Sequence, residues 1–189
     1  MKQILIAGVV GGFILWMWGF LAWAILPLHT PSMHNIQNED PVIEVMQNSM
    51  QTEGVYVFPA MPADMSDEAG HEAWVSKHKR GPVGMIIYNP DGSDPMMPSQ
   101  MVSGFLIFVI AAAIAAWFLS RSTAAGSPYL ARVAYCGMIG VFISFISHLT
   151  AWNWMGFPFD YTSAMMIDSV LGWLLTGFGI AGIVKAPKQ

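Results

Sequence analysis

Two ionisable residues lie within long apolar stretches of the sequence, where charge is unfavourable. His148 lies in the stretch 133–154, and Asp168 lies in the stretch 162–184. An isolated carboxylate in hydrocarbon costs on the order of several kcal/mol, so it should be neutral, hydrated or paired with a polar partner. If the two stretches are antiparallel helices, the two residues lie at similar depth. We therefore predict that His148 and Asp168 form a polar pair.

Three interpretations of this pair remain open at this point. The pair could hold two helices together, as interhelical hydrogen bonds do for about 1 kcal/mol. It could instead be a proton-handling or metal site, because histidine titrates near neutral pH and is a common metal ligand. His29 would then complete a metal-ligand set with His148 and Asp168, and His34 could approach the same boundary. The third interpretation is a contact between subunits.

Methionine is unusually frequent, with 15 of 189 residues. Thioether and imidazole ligands suit Cu(I), so copper is one candidate for a bound metal. No tight Met-x-x-Met repeat recurs, however, and methionine is also an ordinary apolar packing residue. The methionines of the polar middle segment are Met33, Met46, Met50, Met61, Met65, Met85, Met96 and Met97.

The sequence carries no motif that identifies a reaction. It lacks a nucleophile elbow, a phosphate-binding glycine loop and a metalloprotease motif. The glycines of 177–182 fit a dinucleotide-binding spacing only loosely, and they lie within an apolar stretch. Cys136 is the single cysteine, so no intrachain disulfide can form. We predict a non-enzymatic protein and assign no cofactor; an enzyme acting on lipid is a further alternative.

The elements that position these residues are four apolar stretches. The sequence is 54% hydrophobic and only 11% charged, which is typical of membrane proteins. Residues 3–27, 101–120 and 133–154 lack Asp, Glu, Lys and Arg, and 162–184 contains only Asp168. Each is long enough to cross about 30 Å of hydrocarbon at about 1.5 Å per residue. The predicted fold is an all-α bundle of four transmembrane helices.

Cations next to the spans predict the orientation. If the N-terminus is cytoplasmic, all of them lie on the cytoplasmic side, as the positive-inside rule requires. Both termini are then cytoplasmic, and the long loop after the first span is outside. Ala22-Trp23-Ala24 could mark a signal-peptide cleavage site, but the apolar run is longer than usual, so we expect an uncleaved anchor. The cations are Lys2, Arg121, Arg132, Lys185 and Lys188.

A small extracytoplasmic α+β domain is predicted between the first two spans. Residues 55–58 and 83–88 have strand-like composition, and each follows a stretch with helical spacing. The domains are therefore 1–27, 28–100 and 101–189. Ten acids and three bases lie between Glu39 and Asp94, which argues against nucleic acid as a partner.

Small residues at helical spacing predict close helix packing, either within one chain or between copies. They lie on the first, third and fourth spans, and together they offer more packing surface than one chain of this size should need. The glycines are Gly8, Gly12, Gly19, Gly137, Gly140, Gly172 and Gly179.

Several segments resemble a family of bacterial four-span inner-membrane proteins that has no assigned activity. The resemblance covers most of the chain, and it implies a bacterial source and a periplasmic loop. The segments are Gly11-Gly12-Phe13-Ile14-Leu15-Trp16-Met17-Trp18-Gly19, Leu26-Pro27-Leu28-His29, Gly54-Val55-Tyr56-Val57-Phe58-Pro59, Gly81-Pro82-Val83-Gly84 and Asn153-Trp154-Met155-Gly156-Phe157-Pro158.

The predicted function is that of a small membrane protein acting as a homo-oligomer or as an accessory subunit of a membrane complex. Its expected partners are the lipid bilayer and either itself or another membrane protein. The alternative is a protein that handles a metal ion, such as copper, or protons through His29, His148 and Asp168 near the periplasmic surface.

Overall fold

The computed structural model describes residues 1–95 and 97–185. Met96 and Lys188, which entered the predictions above, lie outside them. Among the described residues, four helices are long and apolar enough to cross a membrane. This confirms the four predicted spans, with bounds that differ by a few residues. The spans are Lys2–Ile25, Pro98–Arg121, Tyr129–Met155 and Phe159–Ile183.

Two of the four spans change helix type along their length. Helix α1 (Lys2–Phe20) continues as a π-helix over Leu21–Ile25. Helix α5 (Tyr129–Ile143) continues as a π-helix over Ser144–Leu149 and then as α6 (Thr150–Met155). The wider π turn inserts a residue into the i→i−4 hydrogen-bond pattern and rotates the side chains that follow.

The other two spans are single α-helices. Helix α4 is Pro98–Arg121, and its first residue is a proline, which lacks the N–H that would have no partner there. Helix α7 is Phe159–Ile183. Between α6 and α7, Gly156 adopts φ 72°, the left-handed conformation that commonly ends a helix.

The four spans pack in the order α4, α1, α7, α5, and α4 makes little direct contact with α5. The core lies along the three contacts of this row. It consists of small side chains and a few large ones, each at most 8% exposed. They are Ala7, Leu15, Ala112, Ala115, Ala116, Leu119, Cys136, Trp173, Ile180 and Val184.

The predicted small-residue stripes lie mostly within these contacts. A Cβ atom added to Gly12 would lie 2.6 Å from Val109 of α4, and one added to Gly8 would lie 2.8 Å from Ala113. Gly137 and Gly140 face α7 in the same way, and Gly172 and Gly179 face α1. Gly19 has no such neighbour within 4 Å. Six of the seven glycines therefore pack against other spans of the same chain. These six glycines are then not free to pack against a second copy, as the sequence suggested they could.

Arg132 is one of the cations whose position next to a span predicts the orientation, but it lies inside α5 and is only 9% exposed. Its Nη2 donates to the carbonyl oxygen of Ala181 at 3.0 Å, and its Nη1 donates to that of Ser127 at 2.5 Å. The guanidinium therefore satisfies a carbonyl in the last turn of α7, where helix carbonyls lack internal partners.

Residues 35–95 form a separate compact unit, called the loop unit here. Its elements follow the predicted order of helix, strand, helix and strand. The two strands pair antiparallel, with Gly54 opposite Tyr88 and Phe58 opposite Gly84. The elements are α2 (Glu39–Ser49), β1 (Gly54–Phe58), α3 (Glu68–Arg80) and β2 (Gly84–Tyr88).

Candidate functional site

Asp168 is the centre of a polar cluster inside the spans. It lies on α7, nine residues after Phe159 and therefore roughly 14 Å along the helix. The indole Nε1 of Trp18 donates to Asp168 Oδ1 at 2.5 Å and lies 3.2 Å from the Asp168 carbonyl oxygen. A Cβ atom added to Gly172 would lie 2.9 Å from the Trp18 ring. The absence of a side chain at Gly172 therefore makes room for the indole beside the carboxylate.

His29 reaches the same carboxylate from the segment that follows α1. Its Nε2 lies 3.3 Å from Asp168 Oδ2, and the residue is only 2% exposed. The distance is that of an ion pair, but the alignment is not that of a hydrogen bond. Both ring nitrogens are buried and have no hydrogen-bond partner within residues 1–95 and 97–185. The ring of Trp23 stacks on the imidazole, with centroids 3.9 Å apart and 15° between the planes.

His148 contacts the neighbour of Asp168 instead of Asp168 itself. Its Nε2 lies 2.8 Å from the hydroxyl oxygen of Ser169. A hydrogen bond or ion pair between His148 and Asp168, the predicted polar pair, is not among the contacts of the described residues. The structure therefore extends the predicted pair to two adjacent contacts, His29 with Asp168 and His148 with Ser169.

Both π-helical segments contribute a residue to this cluster. Trp23 lies in Leu21–Ile25, and His148 lies in Ser144–Leu149. π-helical turns occur frequently at functional sites, because the inserted residue redirects nearby side chains. Trp18, Trp23, His29, His148, Asp168 and Ser169 are called the polar cluster below. The polar cluster lies toward the end of the spans at which the first span ends and α7 begins.

The predicted metal-ligand set does not converge on one point. Within residues 1–95 and 97–185, no group of three or more His, Cys, Asp or Glu side chains is placed to hold a metal ion. His29 and Asp168 approach each other, while His148 is engaged by Ser169. His34, the fourth candidate, is exposed. The arrangement therefore brings one imidazole and one carboxylate together, His29 and Asp168, at 3.3 Å.

A second concave feature of the spans is an apolar groove of about 540 Å³ between α4 and α5. It opens because these two helices, although consecutive spans, make little contact. Trp173 of α7 also lines it, and the described residues that line it are uncharged. The lining residues are Ala111, Ile114, Ala115, Phe118, Tyr135, Met138, Ile139, Phe142 and Trp173.

No protein-family model, curated protein or solved structure matches this chain. The class of protein is therefore defined by its own fold and site. Four apolar helices indicate a multi-pass membrane protein. Its most distinctive site is the pair of the buried His29, from the segment after the first span, and the partly buried Asp168 of α7.

Proposed function

We propose that this is a small non-enzymatic membrane protein that works by assembling with further copies of itself. The proposal places it in a bacterial inner membrane, with both termini in the cytoplasm and the loop unit in the periplasm. The distribution of Lys and Arg around the spans supports this orientation, and the sequence resemblance supports the bacterial origin. An accessory subunit of a larger membrane complex would be the same kind of protein with a different partner.

The loop unit carries this proposal, because it has almost no core of its own. Between Asn35 and Pro95, Met50 is the only buried residue. A two-stranded sheet is marginally stable by itself, and a unit of this size needs apolar burial to remain folded. A partner surface would supply that burial. The large apolar residues exposed in the unit are Ile36, Val42, Ile43, Val45, Val55, Val57, Phe58, Met61, Met65, Val83 and Ile87.

One face of the sheet is the best candidate for the contact. Val55 lies opposite Ile87 on the neighbouring strand, and these side chains are 63% and 82% exposed. Val57 lies on the same face, is 57% exposed, and pairs with Met85. The side chains of this face are apolar and uncharged, and three of the four are β-branched, so the face can meet a second copy of itself without burying a charge. Two such faces can pack about 10 Å apart as the layers of a small sandwich.

A second copy fits this face for a further reason. A symmetric dimer uses the same patch on both subunits, and an uncharged patch carries no like-charge repulsion when it meets itself. Two copies inserted in one membrane in the same orientation present the patch on the same side. Confinement to the membrane then raises the effective concentration of each patch for the other.

The test is the mass of the full chain in lipid nanodiscs or mild detergent, compared with that of Ile87→Glu. We expect a dimer or larger homo-oligomer for the unchanged protein. We expect Ile87→Glu to weaken association at least tenfold, about 1.4 kcal/mol, because it would bury an unpaired charge in the contact.

Ser76→Glu is the matched control, since Ser76 is an exposed residue of α3 in the same unit and should leave the mass unchanged. A different protein that co-purifies with the unchanged chain and is lost with Ile87→Glu would identify the accessory-subunit form. A monomer without any co-purifying protein would refute the proposal.

A further inference from the structure

His29 is the starting point, because its burial lacks the usual compensation. Buried polar side chains are nearly always hydrogen-bonded, and an unsatisfied one costs about 1–3 kcal/mol. His29 is 2% exposed, and neither Nδ1 nor Nε2 has a hydrogen-bond partner among the residues that the structure describes. Its nearest polar neighbour is the carboxylate of Asp168, at 3.3 Å from Nε2.

The groups around the imidazole of His29 suit a positively charged ring. Trp23 stacks face to face on the ring at 3.9 Å, and the face of an indole attracts positive charge. Asp168 offers a carboxylate oxygen on the side of Nε2. The protonated imidazole would therefore face the carboxylate at Nε2, and its ring would stack on the face of the indole. It would also turn the contact with Asp168 into a charge-assisted interaction, which is stronger than a neutral one.

Trp18 fixes the role of the carboxylate. An indole N–H can donate a hydrogen bond but cannot accept one, so Asp168 Oδ1 must be the acceptor at 2.5 Å. This contact occupies Oδ1 and leaves Oδ2 for His29. The indole therefore holds the carboxylate in place whether or not the imidazole carries an additional proton.

The titratable surroundings of the pair, within the described residues, are few. Helix α7 contributes Asp168, and the π-helical segment after α5 contributes His148, which is bound to Ser169. Helix α1 and its π-helical end contribute Trp18 and Trp23, which do not titrate. The short 3-10 helix Thr30–Ser32 contributes Ser32, whose hydroxyl donates to the His29 carbonyl oxygen at 2.9 Å.

We propose that His29 and Asp168 form a binding site for one exchangeable proton, and that this proton fastens the segment after α1 to α7. The proton comes from water and is held on the imidazole against the carboxylate. When it leaves, the ring becomes neutral, the charge-assisted contact is lost, and Asp168 keeps its hydrogen bond from Trp18. The stacking of Trp23 on the imidazole then becomes the main remaining contact of His29 within the cluster. This proposal does not depend on assembly, because it uses contacts within one chain.

The test is ¹⁹F NMR of the full chain labelled with 5-fluorotryptophan in nanodiscs, titrated from about pH 8 to about pH 5, the range in which histidine changes charge. We expect the resonances of Trp18 and Trp23 to move together with a single midpoint, since one proton changes both environments. Trp117 is the internal control: it lies on α4 and is 46% exposed, so its resonance should not follow that midpoint. Constant resonances for both Trp18 and Trp23 would overturn the proposal.

Two substitutions assign the proton to its site. His29→Gln should abolish the shared transition of Trp18 and Trp23, because the group that accepts the proton is gone. His34→Gln is the matched control, since His34 is an exposed histidine five residues away and its loss should change neither resonance. A transition of Trp18 that persists in His29→Gln at the original midpoint would assign the titration to another group and refute the proposal.

Asp168→Asn tests the carboxylate. It should separate the two resonances: Trp18 becomes independent of pH, and the proton concentration needed to change Trp23 rises at least tenfold. Trp18→Phe provides a second measurement that does not remove the charge, and Trp23 should still titrate in that variant. An unchanged Trp23 midpoint in Asp168→Asn would show that the carboxylate does not hold the proton.

Discussion

At the contact between α5 and α7, adjacent residues of α7 face different neighbours. Gly140 lacks a side chain where the backbone of Ser169 approaches, and any Cβ atom there would overlap that backbone. One residue earlier, Asp168 accepts its hydrogen bond from Trp18 of α1. The polar cluster is therefore positioned by close packing on one side of α7 and by hydrogen bonding on the other.

The close approach at Gly140 predicts a stability effect. Gly140→Ala should lower the free energy of unfolding by about 1–3 kcal/mol, because backbone atoms must move to accept the methyl group. Gly104→Ala is the control: nothing lies within 4 Å of a Cβ atom there, so it should be neutral or slightly stabilising. Unfolding of the two variants in mixed micelles with increasing SDS measures the difference. Equal stability of both variants would contradict the close approach.

The sequence predicted that Asp168 needs a polar partner and named both His148 and His29 as candidates, but it did not show which of them lies against the carboxylate. The energetic cost of a carboxylate in an apolar span is visible in the sequence, so His148 at similar depth was the natural choice. The choice of partner depends on the rotation of each helix about its axis, which a π-helical turn changes. It also depends on the return of His29 toward α7, which local sequence patterns do not encode. Trp18 was not predicted as a donor to Asp168, because its place in an apolar span does not show which polar group its N–H meets.

Among the elements, α7 lies between two other spans: it contacts α1 along one side and α5 along another. Arg132 contributes to this environment by donating to Ala181 in the last turn of α7. A guanidinium is a planar fork of donors, so it can serve two carbonyl groups on different elements at once. The sequence treated Arg132 as one of several flanking cations, since its place in the chain does not reveal the carbonyl groups that it meets.

Loss of this contact predicts local loosening of α7. Arg132→Leu should increase amide hydrogen exchange in the last turn of α7 while leaving exchange near Asp168 unchanged, because the carbonyl oxygen of Ala181 loses its donor. Arg121→Leu is the control, since Arg121 is exposed at the end of α4. Hydrogen exchange followed by mass spectrometry of the full chain measures both effects. Equal exchange in the two variants would assign Arg132 no role in the α7 terminus.

At the scale of the whole molecule, the chain has two parts with very different packing. The spans bury a continuous core, whereas the loop unit buries only Met50. The sequence predicted the four spans well, because length and hydropathy directly reflect the energetics of a bilayer. It also predicted the order of elements in the loop unit. The row of helices and the groove between α4 and α5 were not predictable, because apolar composition does not specify which spans touch.

The proposed orientation can be tested by chemical labelling. Cysteine introduced at Ser76 should react with a membrane-impermeant maleimide added to intact spheroplasts, and cysteine introduced at Thr123 should react only after the membrane is opened. Both positions are exposed, so access depends on the side of the membrane. The native Cys136 is fully buried and gives no background. Labelling of Thr123 but not Ser76 in spheroplasts would reverse the orientation.

The contact between Asp168 and α1 has a consequence for biosynthesis. The ribosome makes α1 first and α7 last, so Trp18 and His29 are already in place when the translocon receives the span that contains the carboxylate. A carboxylate inside a span opposes insertion, by roughly 2.5–3.5 kcal/mol at the centre of a span on translocon scales and by less toward its ends. The first span therefore provides the last one with a polar docking position, and correct insertion of the C-terminal span should depend on residues synthesised about 150 positions earlier.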